Sequence, residues 1–222
     1  MKLGVVLPTF STDPTVAFGI AAQAAKAGID GVFAYDHIWP MGSPGRPALS
    51  PFPVLAAVAT RFPNLIVAPL VARVTLAEPE RIAQRFATLE KIAPGRVIAA
   101  LGTGDSLSRD EEVALGLPVA GATERRERLR RVIELLPEHM EKWCGGGGAE
   151  TNQIAREFGM TLNLWDSTST ELTVAALDGP VCWAGPRPGN MAEALRSYEE
   201  AGATWAVVAG TVNLEVLASL RG

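Results

Sequence analysis

Short apolar runs alternate with helical stretches from one end of the chain to the other, and this alternation most restricts the fold. The first run is Leu3 to Leu7, the second Gly31 to Tyr35, the third Leu65 to Val71 and the fourth Arg96 to Leu101. Each is apolar almost throughout, as expected of parallel strands covered on both faces. Pro69 cannot donate to a sheet ladder, so it belongs near a bulge or the end of its strand. Four further runs follow: Glu141–Cys144, Thr161–Trp165, Val181–Ala184 and Trp205–Ala209. Between them lie helical patterns, among them 15–27, 79–92, 123–136 and the stretch opening at Asn190. Pro79 suits a first helical position. Leu129, Val132, Ile133 and Leu136 form an apolar stripe. Asn190 with Glu193 forms a variant capping box.

A second regularity supports repeated αβ units. Gly28, Gly159 and Gly202 each follow a helical stretch and precede an apolar run by a few residues. That is the position of a glycine that ends a helix and turns the chain back into a parallel strand. Eight such units with no clear linker over residues 1–222 predict a single α/β domain, a (β/α)8 barrel. A doubly wound open sheet has the same alternation and is the rival architecture.

Composition excludes several functions. Net charge is −4, with no basic stripe, so neither nucleic acid nor an anionic membrane is expected as a partner. No apolar stretch is long enough to span a bilayer, and no signal-peptide pattern opens the sequence, so a cytoplasmic setting is expected. The two cysteines, Cys144 and Cys182, form no CxxC pair; a reduced pair is expected over a single disulfide. No His/Cys/Asp/Glu cluster has ligand spacing, so no metal is expected. There is no G-x-S-x-G nucleophile motif either.

In a barrel of this kind, chemistry gathers just after each strand. His37, one of two histidines, follows the second run beside Asp36. A carboxylate neighbour can fix its tautomer and keep it a proton donor near neutrality, so Asp36 is the expected partner. Gly102-Thr103-Gly104 and Gly145–Gly148 follow the fourth and fifth runs. Such turns expose backbone N–H groups that cradle phosphates. Trp143, Trp165, Trp183 and Trp205 fall within runs and are expected in the core, whereas Trp39 lies in a loop and is a candidate cofactor wall.

These residues resemble the luciferase-like monooxygenase superfamily, barrel enzymes that bind FMN or the deazaflavin coenzyme F420. The likeness is densest in A-G-I-D-G-V-F-A-Y-D-H-I-W-P (27–40) and in P-E-R-I-A-Q-R-F-A-T-L-E-K-I-A-P-G-R-V-I-A-A-L-G-T-G-D (79–105). Asp36-His37 and Gly102 to Asp105 resemble the F420-dependent branch. The resemblance implies an oxidoreductase that moves a hydride between F420 and a small organic substrate. It implies His37 and Asp105 as catalytic residues, with Asp105 where relatives carry glutamate. Asp36, Thr103, Gly104 and Ser108 would contact the cofactor, and Gly145, Gly146 and Gly148 would hold its phosphate region. A non-proline cis peptide maps to Leu70-Val71, and these two residues would also contact the cofactor. The insertion that usually precedes the fifth barrel strand is missing, which makes this a shortened barrel. The alternatives are an FMN-dependent monooxygenase served by a separate flavin reductase, and a flavin- or F420-binding barrel without turnover. A homodimer is the assembly that the family suggests.

Overall fold

The computed structural model describes residues 1–104 and 108–220. Strands and helices alternate in the order β1 (Lys2–Val6), α1 (Thr15–Ala27), β2 (Gly31–Ala34), α2 (Pro51–Arg61), β3 (Ile66–Pro69), β4 (Ala72–Arg73), α3 (Pro79–Ile92), β5 (Ile98–Gly102). They continue with α4 (Arg109–Ala114), α5 (Ala122–Leu135), β6 (Glu141–Gly145), α6 (Ala149–Glu157), β7 (Thr161–Trp165), α7 (Ser169–Ala176), β8 (Val181–Pro186), α8 (Met191–Glu200), β9 (Ala203–Ala209) and α9 (Leu214–Ser219).

Among the described residues nine strands pair, all parallel, in the order β3-β2-β1-β9-β8-β7-β6-β5-β4. The first strand pairs with both the second and the last, which no doubly wound open sheet does. The rival architecture is therefore excluded. The third expected strand is present in two pieces, β3 and β4, separated by Leu70-Val71, whose peptide bond is cis. Pro69 ends the first piece, consistent with its missing donor. A bridge from Val67 to Val97 brings the two edges together into a nearly closed barrel. The connection from α5 to β6 is only Leu136 to Met140, as the sequence spacing implied.

The expected turn glycines have the geometry their position requires. Gly28, Gly159 and Gly202 all take positive φ, which favours a residue without a β-carbon. Gly28 and Gly159 complete the paired capping pattern: Gly28 N–H donates to Ala25 O and Ile29 N–H to Ala24 O, while Gly159 N–H donates to Arg156 O and Met160 N–H to Ala155 O.

Side chains alternate between the two faces of the wall. Val6, Phe33, Ile98, Ala100, Trp143, Cys182, Ala184, Trp205 and Val207 fill the interior. Leu3, Val5, Val32, Ala99, Leu101, Cys144, Trp183, Ala206 and Val208 pack outward against the helices. Phe33, Trp143 and Trp205 form an aromatic cluster inside, with ring centroids 5.4–5.6 Å apart. Gly4 and Gly31 make room for it: a β-carbon on Gly4 would lie 2.5 Å from Phe33 Cε2, and one on Gly31 would lie 3.1 Å from Trp205. The bottom of the barrel is thus plugged, and open space is left at the strands' C-terminal ends. Cys144 and Cys182 are free, buried and on opposite faces of the wall, so no disulfide joins them. No helix among the described residues is long and apolar enough to cross a membrane.

Candidate active site

A cleft of about 650 Å³ opens at the C-terminal ends of the strands. That is within the usual range for a small-molecule or cofactor site. Of the sequence-expected residues, His37, Leu70, Val71, Thr103, Gly104, Ser108, Gly145, Gly146 and Gly148 all line it. Sequence separations of more than a hundred residues collapse here because each group ends or follows a parallel strand. Asp105 lies outside the described residues. Groups of His, Cys, Asp and Glu able to hold a metal are absent among the described residues.

Asp36 is not in the lining and is not the partner of His37. Its carboxylate accepts the backbone N–H of Arg73 at 3.0 Å, and its backbone oxygen accepts Arg73 Nε and Nη2 at 3.1 and 2.6 Å. Loss of hydration on burial pushes the Asp36 carboxyl up to about 6, against the opposing pull of Arg73. The correction has a geometric cause. Neighbouring residues on an extended segment point in opposite directions, so Asp36 and His37 cannot both face the cleft.

The carboxylate that meets His37 comes from α4. Glu111 Oε1 lies 2.7 Å from His37 Nδ1, and Oε2 accepts Ile38 N–H at 2.9 Å and Arg73 Nη2 at 2.5 Å. Glu111 is 1% exposed and Arg73 4%. Sequence reasoning missed Glu111 because R-D-E-E-V-A looks like a solvated helical face. The only available signal was its position just after the Gly102–Gly104 loop. Its neighbour Glu112 is also buried and accepts the Thr75 hydroxyl.

The floor and walls follow from close approaches. Val71 Cγ2 would lie 2.5 Å from a β-carbon on Gly102 and 3.2 Å from one on Gly145. A β-carbon on Gly146 would lie 2.8 Å from Leu164 and 3.2 Å from Leu162, whereas one on Gly147 would meet open space and one on Gly148 only Glu150 Oε2, at 3.9 Å. The glycine run leads directly into α6, whose N-cap is Gly148. Arg125 and Arg126 line the same side; Arg125 Nη1 donates to Gly104 O at 3.0 Å, and Arg126 lies 3.7 Å from Glu150. Arg73 Nη1 and Arg125 Nε are buried donors without a partner among the described residues.

Phe10, Tyr35 and Trp165 form an aromatic side, with Tyr35 5.5 Å from Phe10 and 6.0 Å from Trp165. Burial pushes the Tyr35 hydroxyl up to about 12, so it stays protonated at neutral pH. Trp165 is a second correction: it was expected in the core but is half exposed, because it is the last residue of β7. Trp39 is the third, since it is not among the lining residues.

Comparison with known proteins agrees with this architecture. The model of the luciferase-like monooxygenase family matches residues 1–206. An F420-dependent glucose-6-phosphate dehydrogenase from Microbacterium testaceum is 36% identical over 137 residues, 61% of this chain and 38% of that protein. One from Nakamurella multipartita is 37% identical over 133 residues, 60% of this chain and 38% of that protein. The chain thus matches well under half the length of these relatives. Among solved structures, an F420-dependent secondary alcohol dehydrogenase in complex with an F420-acetone adduct superposes with a TM-score of 0.82 at 13% identity, over 99% of this chain and 98% of that one. The coenzyme F420 dependent tetrahydromethanopterin reductase of Methanopyrus kandleri gives 0.75 at 15% identity, over 99% and 96%. These two likenesses are of fold. The family match covers nearly the whole sequence: this chain belongs to the luciferase-like monooxygenase family.

Proposed function

We propose that the protein is an F420-dependent oxidoreductase acting on a small organic substrate. The observation that carries this reading is His37, set in the cleft wall with its Nδ1 against buried Glu111, in a lining that it shares with the apolar Leu70 and Val71. The curated relatives named F420-dependent dehydrogenases support the same cofactor.

The residues present fit a deazaflavin. Leu70 and Val71 offer an apolar surface for a flat ring. Gly147 and Gly148 leave open space ahead of the α6 N-terminus, which favours an anionic phosphate. Arg73 Nη1 and Arg125 Nε, on the cleft's border, are buried donors that lack acceptors among the described residues. When bound, F420 supplies the hydride-accepting or hydride-donating carbon.

The chain's own residues then have two tasks. The apolar floor, the glycine loops and the arginines orient the reactants. His37 handles the proton: a substrate heteroatom that changes bonding as hydride leaves or arrives must lose or gain one, and Nε2 is the ring nitrogen left to exchange it. Asp105, just beyond Gly104, is proposed as a second proton-handling group.

Titration of the purified chain with F420 and with FMN, followed by cofactor fluorescence, tests the reading. Micromolar binding of F420 and not of FMN is expected. FMN binding alone would replace it with the flavin monooxygenase reading, and binding of neither would overturn both. With F420 bound, His37→Ala should reduce hydride transfer by about 10²–10⁴-fold while weakening binding much less. Equal losses would make His37 a binding residue only.

A further inference from the structure

We infer that Glu111 is the positioning residue of this site: it holds His37 as the Nδ1–H tautomer and so presents Nε2 as the working nitrogen. The use of Nε2 rests on the function proposed above; the tautomer does not.

Glu111 reaches the site from α4, 74 residues away in sequence. Both its oxygens are committed. Oε2 takes two N–H donors, Ile38 N and Arg73 Nη2, which leaves Oε1 for His37. A carboxylate can only accept, so the ring nitrogen 2.7 Å away must donate. Nδ1 therefore carries the proton, and Nε2 is a lone-pair acceptor when the ring is neutral and a donor when it is charged. Nε2 has no protein partner among the described residues.

The grip extends to the backbone on both sides. Glu111 binds the N–H of Ile38, the residue after His37. Arg73 binds the carbonyl of Asp36, the residue before it, and then pairs with Glu111. The ring and its flanking peptides are thus held by one buried Glu–Arg pair. A neutral His37 leaves that pair balanced; a proton arriving at Nε2 gives the ring a charge that faces Glu111 directly. Among the described residues, the titratable and charged groups around His37 are Glu111 from α4, Arg73 from β4 through its pair with Glu111, the neighbouring Asp36, whose carboxylate turns to Arg73, and the Tyr35 ring 6.4 Å away.

The test uses the unliganded full chain labelled with 15N-histidine. Only two histidines are present, and His37→Gln removes one set of ring signals to assign the other. In the wild type, the neutral His37 ring is expected to carry its proton on Nδ1. An Nε2–H neutral tautomer would overturn the proposal without need of any variant. Glu111→Leu should release the ring to its Nε2–H form. A Glu111→Leu protein with native near-ultraviolet circular dichroism whose neutral ring keeps its proton on Nδ1 would also count against it. If that variant does not fold, the wild-type tautomer decides alone.

With F420 loaded, Glu111→Gln should lower kcat at least tenfold with little change in F420 affinity. A purely structural role would lower the amount of folded protein and leave kcat per folded molecule unchanged. Should neither cofactor bind, the functional reading fails, while the ring-nitrogen measurement still decides the role of Glu111.

Discussion

Val71 occupies the space that a β-carbon on Gly102 would need, with its Cγ2 2.5 Å from that position. The contact joins the end of β5 to the floor of the cleft. Gly102→Ala should therefore push Val71 aside at a cost of about 1–3 kcal/mol. The cost should shrink when Val71 is already alanine, because the two changes share one volume. Urea unfolding of the two single variants and the double variant reads this coupling. Equal penalties in both backgrounds would show that the clash is relieved elsewhere.

The Arg73–Glu111 pair is buried on both sides, so removing one partner should cost far more than removing both. Arg73→Met leaves the buried Glu111 without its guanidinium, for an expected loss of about 3–5 kcal/mol. The double variant Arg73→Met/Glu111→Leu should recover a large part of it. Thermal and denaturant melts of the three proteins check this, and a double variant less stable than Arg73→Met would contradict it.

Asp36 makes stability depend on pH in an unusual direction. Its folded pKa is about 6 against an ordinary value of 3.8. Between those values the native state holds a proton that the unfolded chain has released, so this group's contribution falls as pH rises. The cost is absent below about pH 4 and complete above about pH 6, where it amounts to about 3 kcal/mol. Asp36→Asn can still accept from Arg73 N–H and cannot ionise. Its stability advantage over the wild type should therefore grow from pH 4 to pH 7. An advantage that is constant with pH would mean that Asp36 titrates normally.

The four-glycine run should divide by role. A β-carbon on Gly146 would meet Leu164 at 2.8 Å and the Asn163 carbonyl at 3.3 Å, so Gly146→Ala should destabilise the fold. Gly148→Ala finds nearly open space and should change stability by less than about 0.5 kcal/mol. If the cofactor's phosphate lies over this loop, Gly148→Ala should nonetheless weaken F420 binding. Melting curves and fluorescence titrations of the two variants separate packing from ligand contact.

Much of the architecture was legible because parallel strands and turn glycines leave local marks. A strand buried on both faces must be apolar throughout, and a helix that turns back into a strand needs a residue tolerant of positive φ. Gly28, Gly159 and Gly202 could be read for that reason. The cleft's lining could be read in large part because a barrel sends every strand's next residues to one end. His37, Thr103, Gly104 and the Gly145–Gly148 loop needed no more than that, helped by the family likeness.

What the chain alone determined, then, was the repeat of αβ units, the set of strand ends and the glycine turns. Tertiary structure decided closure of the sheet, since only the pairing of β1 with β9 and of Val67 with Val97 separates a barrel from an open sheet. It also decided which carboxylate His37 meets. Sequence proximity favoured Asp36, but extended backbone turns adjacent side chains apart, and folding brings Glu111 in from α4 instead. Partnerships across that distance depend on how elements pack, and a charged helical segment gives no local sign that one of its glutamates is to be buried.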